Sequence, residues 1–271
     1  MGVGRRAAWL PGRAVVPGIL TAMRIEISVE SSDGVRVAEE AGADRVELCS
    51  GLTDGGLTPS AGLMEVAVAR TVRTQVHVLI RPRPGDFRYS ADELAVMMRD
   101  IRVAREAGAD GIVVGALDAS GNLDPVCAAF LEEAEGLETT LHRAIDVCAS
   151  SQRALDQAIE FGFTRVLTSG REHSVLDGAG LIKELVRQAD GAIQVMACGG
   201  VRASLAPRII QATEVDDLHA AVRTAVPGAA QSAALFAGVG VPEGYDRWDA
   251  DPGEVKVLCD IARSHNSRAR K

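Results

Sequence analysis

The chain has 271 residues, with 29 Lys and Arg against 37 Asp and Glu, a formal net charge of −8 and 47% apolar residues. That apolar content excludes an intrinsically disordered chain, and no apolar run reaches the ~18 residues that span a bilayer. The acidic balance argues against nucleic acid or an anionic membrane as the main partner, because either asks for a cationic face.

Residues 1–22 (MGVGRRAAWLPGRAVVPGILTA) read as a flexible extension, since Pro11, Gly12, Arg13 and Pro17 interrupt any signal-peptide core. Met23 is then a candidate start, because regular alternation begins directly after it. Strands are expected near Ile25, Asp44, Val76, Gly111, Glu138, Arg165, Ala192 and Glu214, each followed by a helical pattern or by a loop and helix. Thr58 followed by Pro59 reads as N-cap and first turn of one helix. Ser90 and Glu93 form a capping box ahead of Leu94, Met97, Met98, Ile101 and Ala104. Asp251, Pro252 and Glu254 open a last helix with Val255, Leu258 and Ile261 on one stripe, and residues 263–271 are read as a frayed tail.

One junction recurs. EEAGADRVEL (39–48) and REAGADGIVV (105–114) are near copies, and IEFGFTRVLT (159–168) is a looser third. Each reads as a helix end, a left-handed glycine (Gly42, Gly108, Gly162) and a strand. A repeated joint implies one repeated architecture, so residues 23–262 are expected to form a single (β/α)8 barrel of the TIM type. A doubly wound open sheet is the alternative, but no GxGxxG follows the first strand. Residues 227–250 carry no clear pattern and are read as a cover over one barrel face or a subunit contact. The five cysteines (Cys49, Cys127, Cys148, Cys198, Cys259) include no CxxC pair and read as small buried residues in a reducing compartment.

Strand side chains alternate faces, so the apolar sets should meet the helices and the polar sets should point inward. Glu26, Ser28, Glu47, Cys49, His77 and Arg81 then line the inner wall. Buried charges must pair, bind something or reach solvent, which leaves two readings: an ionic plug, or a pocket for a ligand or metal. Further polar groups end other strands: His142, Arg143 and Asp146 (HRAID, 142–146), then Thr168, Ser169 and Gly170, then Gly199, Gly200 and Arg202, with His219 ending strand 8. The loop RPRPGDFRYS (81–90) reads either as a stiff surface loop or as an arginine clamp for an anion. Glu26, Glu47, His77, Arg81, His142, Arg143 and Asp146 are thus the catalytic candidates, as acids, bases and anion holders, with the choice of base left open. Ser169, Gly170, Gly199, Gly200 and Arg202 are candidates for holding a cofactor or anion. A scaffold without chemistry and a metal-dependent hydrolase are further alternatives, although no HExxH is present.

The segments ADRVELC (43–49), GGLTPS (55–60), HVLIRPRPGDFRYS (77–90), HRAID (142–146), RVLTSG (165–170) and CGGVR (198–202) resemble the CutC family of copper homeostasis proteins. The resemblance runs in family order over roughly residues 24–220. It implies a single (β/α)8 barrel, a cytoplasmic setting, a homo-oligomer and copper binding. It also implies Cu(I) ligands on strands 1 and 2. Cys49 matches the strand-2 position, whereas Ser28 stands where the strand-1 cysteine would be. Cys198, His77, His142 and His219 are the other donors available. Two functions are carried forward: a copper-handling protein with Cys49 as ligand, and an enzyme acting on a small phosphorylated or carboxylated molecule.

Overall fold

The computed structural model describes residues 22–226 and 247–269. Eight parallel strands close into a barrel in chain order: β1 (Arg24–Val29), β2 (Arg45–Leu48), β3 (Gln75–Leu79), β4 (Gly111–Val114), β5 (Glu138–Leu141), β6 (Arg165–Thr168), β7 (Gln194–Ala197) and β8 (Asp217–Ala220). Around them run α1 (Ser32–Ala41), α2 (Ala61–Arg70), α3 (Ala91–Glu106), α4 (Val126–Glu133), α5 (Ala144–Val147), α6 (Ser151–Phe161), α7 (Ala179–Ala189), α8 (Ala206–Thr213) and α9 (Pro252–Ala269). This is the expected (β/α)8 barrel. Gly42, Gly108 and Gly162 take φ of 78°, 83° and 93°, so each recurrent joint turns through the left-handed region that only glycine enters cheaply.

Four local expectations are corrected. Helix α2 is capped by Ser60, whose Oγ accepts the Leu63 N–H; Thr58 instead accepts the Arg81 N–H and ties the β2 loop to the β3 loop. Strand β7 begins at Gln194, two residues past Ala192, which lies in a turn bonded to Ala189. Strand β8 begins at Asp217, because Glu214 takes the left-handed cap of α8. The boundary expected at residue 263 falls inside α9: Arg263 donates to the Ala41 carbonyl, and Asn266 bonds both backbone groups of Met23. The extension lies outside the described residues apart from Ala22, and so does most of the 227–250 stretch. Its last four residues form β10 (Arg247–Ala250), antiparallel to β9 (Arg223–Val226).

The apolar strand faces pack outward against the helices, with Ile25, Ile27, Val46, Val76, Val78, Ile112 and Val166 all buried. The inward faces carry charge. Near the N-terminal end of the barrel Arg45 and Arg165 are fully buried. Arg45 reaches Glu26 at 2.9 Å and Asp217 at 2.7 Å; Arg165 reaches Glu138 at 2.9 Å and Asp217 at 3.3 Å. These pairs follow from register, since Glu26 sits beside Arg45 on the neighbouring strand. The ionic-plug reading therefore holds for the barrel floor.

His77 belongs to this interior. Its ring lies over Gly111, where an added Cβ would come within 2.6 Å; among the described residues neither ring nitrogen has a hydrogen-bond partner, and Nε2 lies 3.7 Å from Glu138 Oε2. Burial, then the Arg165 and Arg45 charges, push its pKa down to about 3. The folded value lies below the unfolded one near 6.5. Its contribution to stability is therefore whole above pH 6.5 and is lost as pH falls toward 3. Urea unfolding at pH 6.5 and pH 5 should show that His77→Leu removes about 2 kcal/mol of the wild-type loss over that interval. An unchanged loss in the variant would contradict a neutral buried imidazole.

Candidate functional site at the barrel mouth

At the C-terminal ends of the strands a cavity of about 340 Å³ is lined by Glu47, Leu79, Arg81, Phe87, His142, Arg143, Leu167, Cys198, Gly199, Gly200, Val201, Arg202 and His219, among others. This is the end at which barrels of this fold present their sites. Of the residues singled out in the sequence, Glu47, Arg81, His142, Arg143, Gly199, Gly200 and Arg202 line this cavity. Glu26, His77, Asp146, Ser169, Gly170 and Cys49 do not line the cavity.

The acid–base core runs through His219. Closure of the barrel sets β8 beside β1, with His219 in register with Glu26. His219 Nδ1 is 2.8 Å from Glu26 Oε1, and its Nε2 is 3.7 Å from Glu47 Oε2. Ser28 donates to Glu47 Oε2 at 3.0 Å. Burial alone would raise Glu26, but Arg45 and then His219 outweigh it, and its carboxyl titrates well below the usual carboxylate range. Burial would lower His219, yet Glu47 and Glu26 together carry it above its ordinary value. Burial raises Glu47, with Glu26 adding to the rise against His219 and Ser28. The two glutamates, one strand apart, are thereby driven in opposite directions, which separates a fixed anion from a group able to exchange a proton.

The rim is basic. Arg143 is half-exposed, with Nε on Asp146 Oδ2 at 2.9 Å and Nη2 on Ser169 Oγ at 2.6 Å. Asp146 also accepts from Thr168 Oγ1 and from the backbone N–H groups of Ser169 and Arg171. It is therefore an orienting group for Arg143 and for the loop after β6. Ser169 and Gly170 serve that loop; a Cβ on Gly170 would lie 2.2 Å from the Gly178 carbonyl oxygen. Arg202 turns back onto the Val201 carbonyl at 2.9 Å. Of the two readings of residues 81–90, the arginine clamp is not open. Arg83 binds Glu93, Asp86 and three loop carbonyls, while Arg81 donates to the carbonyls of Asp54, Gly56 and Gly85. The surface-loop reading holds for Arg83.

His142 is buried, its ring centroid 4.5 Å from that of Phe87. Its Nδ1 accepts the Ala144 N–H at 3.2 Å. Burial, then the Arg81 charge, push its pKa down to about 3. His219 and Phe87 are the members that sequence reasoning underused. The signal for His219 was its inward parity on strand 8; its partner Glu26 appears only when the last strand meets the first.

The two positions that the resemblance assigns to Cu(I) ligands, Ser28 and Cys49, lie side by side inside the barrel. Cys49 lies just past β2, packed with Leu79, Val113 and Leu52. Its Sγ is 3.6 Å from Ser28 Oγ and 3.6 Å from the Val29 carbonyl oxygen. Burial, then Glu47, raise its pKa well above the ordinary thiol value, so Cu(I) bound there would have to displace the thiol proton. Ser28 supplies a hydroxyl, a poor Cu(I) ligand. Among the described residues no group of three His, Cys, Asp or Glu side chains is placed to hold a metal ion. Cys198 is the cysteine that borders the cavity.

The CutC family model matches residues 23–224. A Homo sapiens relative named copper homeostasis protein cutC homolog is 39% identical over 266 residues, 96% of each chain. A family protein CutC of Histophilus somni is 36% identical over 238 residues, covering 87% of this chain and 98% of the relative. A solved CutC structure from Streptococcus agalactiae superposes with a TM-score of 0.69 at 33% identity, covering 73% of this chain and 97% of that one.

If Asp146 orients rather than reacts, Asp146→Ala should cost stability first. Removing the acceptor of several buried donors is expected to lower unfolding free energy by about 3 kcal/mol, read by urea denaturation. A variant as stable as wild type would refute the orienting role.

Proposed function

Because the chain belongs to the CutC family, we propose that it serves copper homeostasis, the role named in its human relative, through an enzyme-like cavity that binds a small anionic molecule and exchanges a proton with it. One observation carries this reading: Glu47 on the cavity wall, His219 behind it and Glu26 behind that form a graded series of proton-sharing groups facing a basic rim. Arg143 offers the substrate anion a partly free guanidinium fork held in place by Asp146 and Ser169. Glu47 gives or takes the proton, and His219 compensates the charge left on it. Neither step uses the buried thiol of Cys49.

A screen of phosphorylated and carboxylated small molecules tests the proposal. For a compound that turns over, Glu47→Gln is expected to lower kcat by about 10² to 10⁴. Arg143→Gln is expected to raise KM about tenfold or more while moving kcat less. Equal turnover in Glu47→Gln would remove Glu47 from the mechanism.

Direct carriage of Cu(I) is the second reading, favoured by the position of the Cys198 thiol on the cavity wall. Copper is then cargo, held by Cys198 with help from the cavity imidazoles. Competition against a Cu(I) chelator under reducing conditions should show affinity that falls in Cys198→Ser and persists in Cys49→Ser. The opposite order would return the metal to Cys49, and no competition at all would end the reading.

A cytoplasmic setting and a homo-oligomer complete the proposal. Five free buried cysteines support a reducing compartment, and among the described residues no helix is long and apolar enough to cross a membrane. Trp248, half-exposed on β10, is a candidate subunit contact.

A further inference from the structure

The mouth cavity has an apolar side that the proposed chemistry does not use. Leu52, Leu79 and Phe87 line it from the end of β3 and the neighbouring loops, and Leu167 lines it from β6, three strands on around the barrel. None of the four carries a side-chain atom that can make a hydrogen bond. Leu79 packs with Cys49 and Val113, with Leu52 partly buried against them, and Leu167 packs with Met196 and Cys198. Bonds between loops hold this wall in place. Arg81 donates to the carbonyls of Asp54 and Gly56 on one loop and of Gly85 on the other, so the loop that carries Leu52 is tied to the loop that carries Phe87. Gly56, at φ 86°, lets the first loop pass close over Leu79, where a Cβ would come within 2.7 Å of the leucine. The Phe87 carbonyl accepts the Leu117 N–H at 2.8 Å, and the Phe87 ring centroid lies 4.5 Å from that of His142 and 5.3 Å from Arg81 Cζ.

We propose that the anion taken by this cavity carries an apolar body about the size of one benzene ring, as in an aryl phosphate or aryl carboxylate, and not a polyol chain. The inference rests on the proposed reading of the cavity as a site for small anions, and it adds what kind of body bears the charge. A dry cavity of about 150 Å³ is enough to hold benzene. The 340 Å³ found here therefore has room for one ring and an anionic head. Arg143 and Arg202 on the basic rim receive the head. The body then meets Leu52, Phe87, Leu79 and Leu167. A polyol would set hydroxyl groups against these side chains, giving up hydrogen bonds to water without replacing them. A ring gives up no such bonds, and it gains by removing its own apolar surface and that of Leu52 and Phe87 from water.

Matched ligand pairs test this by isothermal titration of the full chain: phenyl phosphate against glycerol 3-phosphate, and benzoate against glycerate. In at least one pair the aryl compound is expected to bind about tenfold or more tightly than the polyol. Phe87→Ala should cut that preference about fivefold or more while leaving the affinity for inorganic phosphate unchanged. Leu52→Asn, at a partly buried loop position, should do the same and keeps the test open should Phe87→Ala fail to fold. Arg143→Gln should weaken the aryl anion and inorganic phosphate alike. Polyols that bind as tightly as their aryl partners in both pairs, or a preference that survives the wall variants, overturn the inference while leaving the anion site intact. Aryl binding indifferent to Arg143→Gln places the compound elsewhere on the protein and overturns it too. If wild type binds neither inorganic phosphate nor any of the four compounds, the reading of the cavity itself falls.

Discussion

Two guanidinium groups that cannot lose their charge sit in the middle of this barrel. Arg45 and Arg165 are excluded from water, and no folded environment neutralises an arginine. The interior must therefore supply permanent anions, and Glu26, Glu138 and Asp217 meet that demand. An ionised Glu26 then joins Glu47 in raising the pKa of His219, and Glu26 and His219 in turn act on Glu47 in opposite directions. The chemistry available at the mouth is thus set by a charge requirement at the floor, transmitted through side chains one strand apart.

The same arrangement separates two histidines that look alike in the chain from a third that does not behave like them. His77 and His142 are surrounded by burial and arginine charge and stay neutral, whereas His219 is flanked by carboxylates. Protonation state is decided by which strand lies beside each ring. The cavity consequently offers a neutral imidazole on one wall and an acid–base pair on another, with Arg143 and Arg202 at the rim. That division of labour suits a small anion better than a soft metal at Cys49, whose nearest hetero-atom neighbours are a serine hydroxyl and a backbone carbonyl.

Much of this was legible in the residues. Alternation in RIEISV and ADRVEL put Glu26, Ser28 and Glu47 inside, and the recurrent AGAD joint pointed to eight repeated units. The limits were equally physical. Parity says which wall a side chain faces but not how deep it lies, so His77 and Glu26 were grouped with the mouth although they belong to the layers beneath it. Asp146 reads as an acid in HRAID, yet its oxygens are consumed by a loop that is distant in sequence. Cys49 follows the last residue of β2 and keeps the inward face that alternation gives it, packed with Leu79 and Val113 beside Ser28. His219 acquires its meaning from Glu26, 193 residues earlier, once the sheet closes.

Asn266 bonds Met23 through both its amide groups, much as an adjacent strand would pair with a neighbour. The first residue ahead of β1 and the last turns of α9 are thus knotted side by side, and β1 itself is zipped to β8. Topologically the body of the molecule is a loop lacking one peptide link. No βα unit is privileged as first or last, and the chain could in principle be opened at a different surface turn and rejoined across this clasp with its eightfold order preserved.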